Sequence, residues 1–202
     1  MKPIESYPAQ ASAGGVTIAA NPYMTDEESE TAFDVKRLNS RGYLPVHVII
    51  KNDTAYYLTI HTRNVLLFTP NGEQLYSTPA TIVVDNVVRA GLTKKDPKKS
   101  DEPETLSKKG SPLTDFTSKE LVTASIDPGA TVDGFLFFFT QPSTKKSSKK
   151  NKKNPFASST LYIPKVEEEG TQRPFGPFTI HLDAAVQGRD VEGGVPEASS
   201  RK

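Results

Sequence analysis

Apolar residues in this chain gather into short runs that mostly alternate with a period of two and stop at Pro, Gly, Asn or Asp. That period marks strands resting one face on a core. Two stretches carry most of the information: Gly42-Tyr-Leu-Pro-Val-His-Val-Ile-Ile-Lys-Asn-Asp-Thr54 and Ile126-Asp-Pro-Gly-Ala-Thr-Val-Asp-Gly-Phe-Leu-Phe-Phe-Phe139. Each is a turn opening into a buried strand. Strands are predicted over 16–20, 45–51, 56–62, 64–69, 74–77, 81–92, 131–140, 159–163 and 178–186, and Pro70-Asn71-Gly72 is a hairpin turn between two of them. Short strands punctuated at these intervals predict an antiparallel β-sandwich.

Two segments depart from that period. Thr25-Asp26-Glu27-Glu28 has the spacing of a capping box, with acids first and Lys36, Arg37 and Arg41 last, which predicts a helix over about 26–39 stopped by Gly42. A second short helix is expected over 114–124, carrying Phe116, Leu121 and Val122. The expected fold class is therefore mainly β, an antiparallel sandwich with one or two short helices packed on it. Residues 16–186 form the single domain in this reading. Residues 1–15 are a flexible linker, 93–112 and 141–155 are mobile insertions, and 187–202 are a disordered tail.

The faces of the two main strands sharpen this picture. Val46, Val48 and Ile50 share one face and Ile49 lies on the other; later, Phe135, Phe137 and Phe139 share one face while Leu136 and Phe138 take the opposite one. A sheet apolar on both sides must be covered. Ile49, Leu136 and Phe138 are expected beneath the short helices, a docking partner being the alternative cover, so functional surface is sought at the loop ends.

With 202 residues the chain can bury one substantial core. It has no cysteine, which excludes disulfides, thiolate metal sites and cysteine nucleophiles. No run of eighteen apolar residues is present to span a membrane. Residues 1–15 lack the basic start and apolar centre of a signal peptide, which leaves a cytosolic protein or an extracytoplasmic one whose leader was replaced by Met1; the second is preferred.

The net charge of +1 conceals an uneven distribution. Lys145, Lys146, Lys149, Lys150, Lys152 and Lys153 crowd 143–155 without an acid, and without these six the chain would carry −5. Such a finger suits anionic polymer or lipid heads, at about 1 kcal/mol per lysine near a membrane surface. No aromatic or arginine is interleaved to stack on bases, so nucleic acid is disfavoured. A solvated hairpin tip is the plain alternative.

Catalytic and metal signatures are weak. His47, His61 and His181 each fall within a predicted strand, and neighbouring strands could bring His47 and His181 together, but no H-x-x-x-H or H-E-x-x-H spacing occurs. Asp127 and Asp133 flank a turn and form the nearest approach to a carboxylate pair, although Asp-Pro-Gly is ordinary turn chemistry. There is no G-x-S-x-G elbow, P-loop, dinucleotide fingerprint or EF-hand spacing. No catalytic residue, metal or cofactor is expected, and the chain is read as no enzyme.

One resemblance adds to this. A short helix with Phe33, then Gly42-Tyr-Leu-Pro-Val-His-Val-Ile-Ile-Lys-Asn-Asp53, a later helix with Phe116 and Glu120-Leu121, and Pro128-Gly-Ala-Thr-Val-Asp-Gly-Phe-Leu-Phe138 resemble a group of uncharacterised bacterial extracytoplasmic proteins, often lipoproteins, with an immunoglobulin-like β-sandwich. The resemblance covers roughly 16–186. It implies cell-envelope residence and a binding or structural role, and brings no catalytic residues. This chain departs from that group in lacking the leader and lipid-bearing cysteine, and membrane contact is expected to be peripheral at most, through a missing lipid anchor. The expected function is a non-enzymatic binding or assembly module of the bacterial envelope, meeting an envelope protein or an anionic surface. The alternatives are a cytosolic nucleic-acid-associated protein and an enzyme with dispersed catalytic residues.

Overall fold

The computed structural model describes residues 2–92, 112–123, 125–141 and 156–186. The six lysines of 143–155, the insertion at 93–111 and residues 187–202 lie outside them. Strands are β1 (Gln10–Ala13), β2 (Val16–Pro22), β3 (Tyr43–Asn52), β4 (Leu58–Ile60), β5 (Leu66–Phe68), β6 (Gln74–Tyr76), β7 (Ser125–Ile126), β8 (Thr131–Phe139), β9 (Thr160–Ile163), β10 (Val166–Glu168), β11 (Pro174–Phe175) and β12 (Phe178–His181). Helices are α1 (Asp26–Phe33), α2 (Ala80–Leu92) and α3 (Pro112–Lys119). The chain is mainly β, as the alternation requires. Among the described residues the strands form three antiparallel sheets, ordered β1-β2-β3-β8, β11-β10-β4-β7 and β12-β9-β5-β6.

The first sheet is organised by the two segments that dominate the sequence. β3 and β8 pair along their full length, with Val46 opposite Leu136 and His47 opposite Phe135. Alternation then fixes every side chain. Leu44, Val46, Val48 and Ile50 join Leu136 and Phe138 in the main core, which also takes residues from both other sheets: Leu58, Ile60, Leu67, Leu161, Ile163, Val166, Phe178 and Ile180. Phe135 and Phe137 point the other way, into a second core built from Phe33, Leu38, Tyr43, Phe116 and the α2 residues Ala80, Val83, Val84 and Val87.

The helices therefore cover Phe135 and Phe137, not Leu136 and Phe138. All three residues expected beneath helices are buried, but in different places. Leu136 and Phe138 lie between the sheets, while Ile49 is capped by Ile4 and Tyr7 from the N-terminal turn Ile4–Ser6. Sequence alternation separated the two faces of each strand; which face of β8 shares a side with Val46 is set by the β3–β8 register.

Residues 1–15 are not a linker along their length. Gly14 and Gly15, at φ of 60° and 90°, close a two-residue hairpin that pairs β1 with β2 and puts Ala13 opposite Val16. The small residues that suggested flexibility instead fit an edge strand against a crowded core.

Residues 81–92 also depart from expectation, forming α2 instead of a strand. Val83, Val84 and Val87 are buried at helical spacing while Ile82 is 50% exposed, a division no strand produces. The β-branched run lowers helix propensity only slightly. Docking on the Phe135 face outweighs it, and the Glu120 carboxylate accepts a hydrogen bond from the Ala80 N–H at the helix start, 2.9 Å.

α1 has its capping box: Thr25 Oγ1 accepts from the Glu28 N–H, and the Glu28 carboxylate accepts from the Thr25 N–H. It ends earlier than the reading of 26–39, because Asp34 turns left-handed at φ 53° and lets Leu38 fold back into the second core beside Phe33. The Phe33 ring stacks on Phe116 at 4.5 Å and meets Phe135 edge-on at 4.8 Å. α3 likewise stops at Lys119, short of the expected 124. Residues 120 and 121 leave the helix to line the edge of β8, where the Leu121 N–H donates to the Phe135 carbonyl at 2.9 Å.

That edge contact requires Gly134. A Cβ there would sit 2.7 Å from the Leu121 backbone. Gly134→Ala is expected to lower unfolding free energy by about 1–3 kcal/mol through overpacking, read from urea denaturation of the variant beside the parent.

Candidate binding surfaces at the two ends of the sandwich

Asn52, the last residue of β3, is fully buried yet polar. Its side-chain NH₂ donates to the carbonyls of Tyr56 (2.8 Å), Ile126 (3.1 Å) and Asp127 (3.1 Å). Its side-chain oxygen accepts from the Thr54 N–H at 3.0 Å and the Thr54 hydroxyl at 2.7 Å. The backbone continues the junction: the Asn52 N–H donates to Ala130, the Gly129 N–H donates to Asn52, and the Asp53 N–H donates to Gly15. One residue thus ties together the 53–57 turn, the Asp127–Ala130 turn and the β1–β2 hairpin, three loops at one end of the sandwich.

The 53–57 turn holds two neighbouring aromatic side chains in water, Tyr56 at 44% exposure and Tyr57 at 55%. The Glu169 N–H donates to the Tyr57 carbonyl at 2.8 Å, bringing a fourth loop to the same end. The Glu169 carboxylate accepts from the hydroxyls of Ser125 and Thr59, the latter at 2.8 Å, and these bonds hold its pKa below the ordinary glutamate value. On the same sheet, Glu167 lies 2.6 Å from Lys165 Nζ and 3.0 Å from His61 Nε2, and the lysine is the main cause of its lowered pKa.

The histidines do not converge. His47 lies on the outer face of the first sheet, 2.7 Å from Asp133 and stacked on Phe135 at 4.9 Å, while His181 on β12 meets Thr160 at 3.1 Å. Asp133 is therefore turned to His47, and Asp127 contributes its carbonyl to Asn52, so the two do not act as a carboxylate pair. Among the described residues no group of three or more His, Asp or Glu side chains is placed to hold a metal.

The opposite end carries its own aromatic patch. Thr140 Oγ1 lies 3.0 Å from a Glu73 carboxylate oxygen, and the Thr78 N–H donates to the Phe137 carbonyl at 2.7 Å. These two bonds join the 73–78 segment to the end of β8. Tyr76 is 65% and Phe139 39% exposed, with the Phe139 ring resting on Tyr43 at 4.9 Å. The segment bearing Lys145, Lys146, Lys149, Lys150, Lys152 and Lys153 lies outside the described residues.

The sequence reading missed Tyr56, Tyr57, Tyr76 and Phe139 as exposed aromatics, since each sat inside or beside a predicted strand. The tandem Tyr56-Tyr57 just beyond the turn residues Asn52-Asp53-Thr54 was the available signal: adjacent side chains in a strand take opposite faces, so the two could not both enter the core between the sheets. Asn52 was read as a strand terminator only.

No protein-family model and no curated protein matches the chain. Among solved structures it is similar to a putative lipoprotein, ycdA, from Bacillus subtilis subsp. subtilis str. 168, at 14% identity and TM-score 0.41, covering 92% of this chain and 42% of that one. It is also similar to the yjhA protein from Bacillus subtilis, at 10% identity and TM-score 0.37 over 78% of this chain and 79% of the other. A functionally unknown protein from Listeria monocytogenes EGD-e matches at 14% identity and TM-score 0.36, over 76% and 69%. The chain thus spans less than half of the first of these proteins. Likeness at this level carries no argument for activity or partner. Among the described residues no helix is long and apolar enough to cross a membrane.

Two outcomes are expected here. Asn52→Asp keeps the shape but loses both donors and sets a carboxylate against three carbonyls. It should destabilise the fold at neutral pH by at least as much as Asn52→Ala, about 1–3 kcal/mol, measured by chemical denaturation. Glu169 has a folded pKa below its unfolded one, so its contribution is complete above the unfolded value and disappears as pH falls through the folded value. The melting temperature of Glu169→Gln should therefore converge on that of the parent as pH drops below 4.5, the ordinary glutamate value.

Proposed function

We propose that this chain is a non-enzymatic, extracytoplasmic binding or assembly module of the bacterial cell envelope. The observation that carries the binding reading is the Tyr56-Tyr57 pair, held in water on a turn braced by a fully buried asparagine. Tyrosine offers a large apolar face and a hydroxyl at low conformational cost, which is why it recurs at the centres of interfaces. Two on one stiff turn present a preorganised surface rather than a floppy loop. We read the layered sheets as immunoglobulin-like, a frame that gathers loops at its ends for recognition. The envelope assignment draws on the likeness of the Gly42–Asp53 and Pro128–Phe138 motifs to extracytoplasmic proteins. The six lysines supply a separate contact for anionic polymer or lipid.

The test is retention on purified envelope material by the full chain and by a Tyr56→Ala/Tyr57→Ala variant. Both side chains are exposed, so the variant should melt within a few degrees of the parent and lose about tenfold or more in retention, the size of a modest interface hot spot. Equal retention by a folded variant removes this end of the molecule from the reading.

A further inference from the structure

We propose that Tyr57 and Glu169, on the outer face of the β11-β10-β4-β7 sheet, form a receptor for an arginine side chain carried by a partner protein. The inference rests on the reading of the Tyr56-Tyr57 end as a binding surface and names the chemistry of its partner. The antiparallel register that sets Glu168 opposite Leu58 and Glu167 opposite Thr59 runs one step further, where the Glu169 N–H donates to the Tyr57 carbonyl at 2.8 Å. Tyr57 and Glu169 are therefore cross-strand neighbours. Leu58, between Tyr57 and Thr59 in sequence, enters the main core and so turns both of them to the outer face. The Glu169 carboxylate lies on that face too, because it accepts from the Thr59 hydroxyl at 2.8 Å and from the Ser125 hydroxyl. Both donors are neutral. They orient the carboxylate and leave its charge uncompensated.

Charge selects the occupant. Among the described residues the nearby cations are already engaged: Lys165 lies 2.6 Å from Glu167, Lys51 lies 3.2 Å from Asp53, and the Arg173 guanidinium sits over the Phe175 ring at 5.6 Å. Among those residues no ammonium or guanidinium group pairs with Glu169, nor with Asp127, the exposed acid whose carbonyl shares the Asn52 amide with Tyr56. This end thus holds fixed negative charge beside two exposed aromatic rings. An anionic polymer is repelled there, whereas a cation gains from the carboxylate and from the negative face of a ring. Arginine fits better than lysine, since its planar guanidinium stacks on a ring, forks to a carboxylate and is more weakly hydrated.

The probe is a fluorescein-labelled peptide of alternating arginine and glycine, titrated with the full chain at low salt and followed by fluorescence anisotropy, with lysine and glutamate versions beside it. The arginine peptide should bind most tightly, the glutamate peptide should not bind, and added salt should weaken the complex. Tyr57→Leu, which keeps apolar bulk and removes the ring, and Glu169→Gln should each weaken it by about three- to fivefold. Tyr76→Ala, at the opposite end, should bind like the parent. Tyr57 is exposed, so Tyr57→Leu decides the matter if Glu169→Gln is unstable. Equal binding of the arginine and lysine peptides, or both variants binding like the parent, would overturn the receptor. So would Tyr57-dependent binding of a neutral chitooligosaccharide by a chain indifferent to the arginine peptide. Loss of envelope retention in Tyr56→Ala/Tyr57→Ala without arginine-peptide binding removes this partner and leaves the binding end standing. Unchanged envelope retention removes the binding end itself, and the inference with it.

Discussion

The buried side chain of Asn52 is the constraint on which the rest of the molecule depends. It terminates the longest strand, and its amide reaches both the turn that follows β3 and the turn that precedes β8. Those two strands form the spine of the first sheet, so the register that sends Leu136 inward and Phe135 outward is anchored at this junction. A buried amide with every bond satisfied specifies geometry more sharply than an apolar residue of equal size, because any shift leaves carbonyls unpaired. The hairpin glycine Gly15 is tied to the same point through Asp53.

From that register follows a protein with two apolar layers rather than one. β8 presents aromatic side chains to both faces: Phe138 enters the core between sheets, and Phe135 and Phe137 form the floor on which α1, α2 and α3 assemble. The stacked Phe33 and Phe116 rings join two helices far apart in sequence to this floor. Gly134 belongs to the same design. Its missing side chain lets the 120–121 segment lie along the open edge of β8, which would otherwise offer unpaired backbone groups to another chain.

With both faces of the central strands occupied, the exposed Tyr and Phe rings among the described residues lie toward the two ends. One end gathers four loops around Asn52 and displays Tyr56 and Tyr57. The other carries the exposed rings of Tyr76 and Phe139. The pairing of Glu167 with Lys165 and His61 and the hydrogen bond from Thr59 to Glu169 are solvated contacts of modest energetic weight.

Local chemistry alone determined a good deal of this. Period-two alternation gave the β class and most strand positions, the Thr25–Glu28 spacing gave the start of α1, and the apolar second faces showed that the sheet had to be covered. These features are written in neighbouring residues, so a single sequence displays them. Only the tertiary structure decided that 80–92 is a helix, since its β-branched valines are neutral enough for the Phe135 floor to choose the conformation. Long-range pairing likewise drew residues 10–13 from an apparent linker into a strand and assigned Leu136 and Phe138 to the interior. The exposure of Tyr56, Tyr57, Tyr76 and Phe139, and the reach of Asn52 across 75 residues to Asp127, depend on which turns and edges meet in space. That meeting is set by register between distant strands, a quantity that no local pattern encodes.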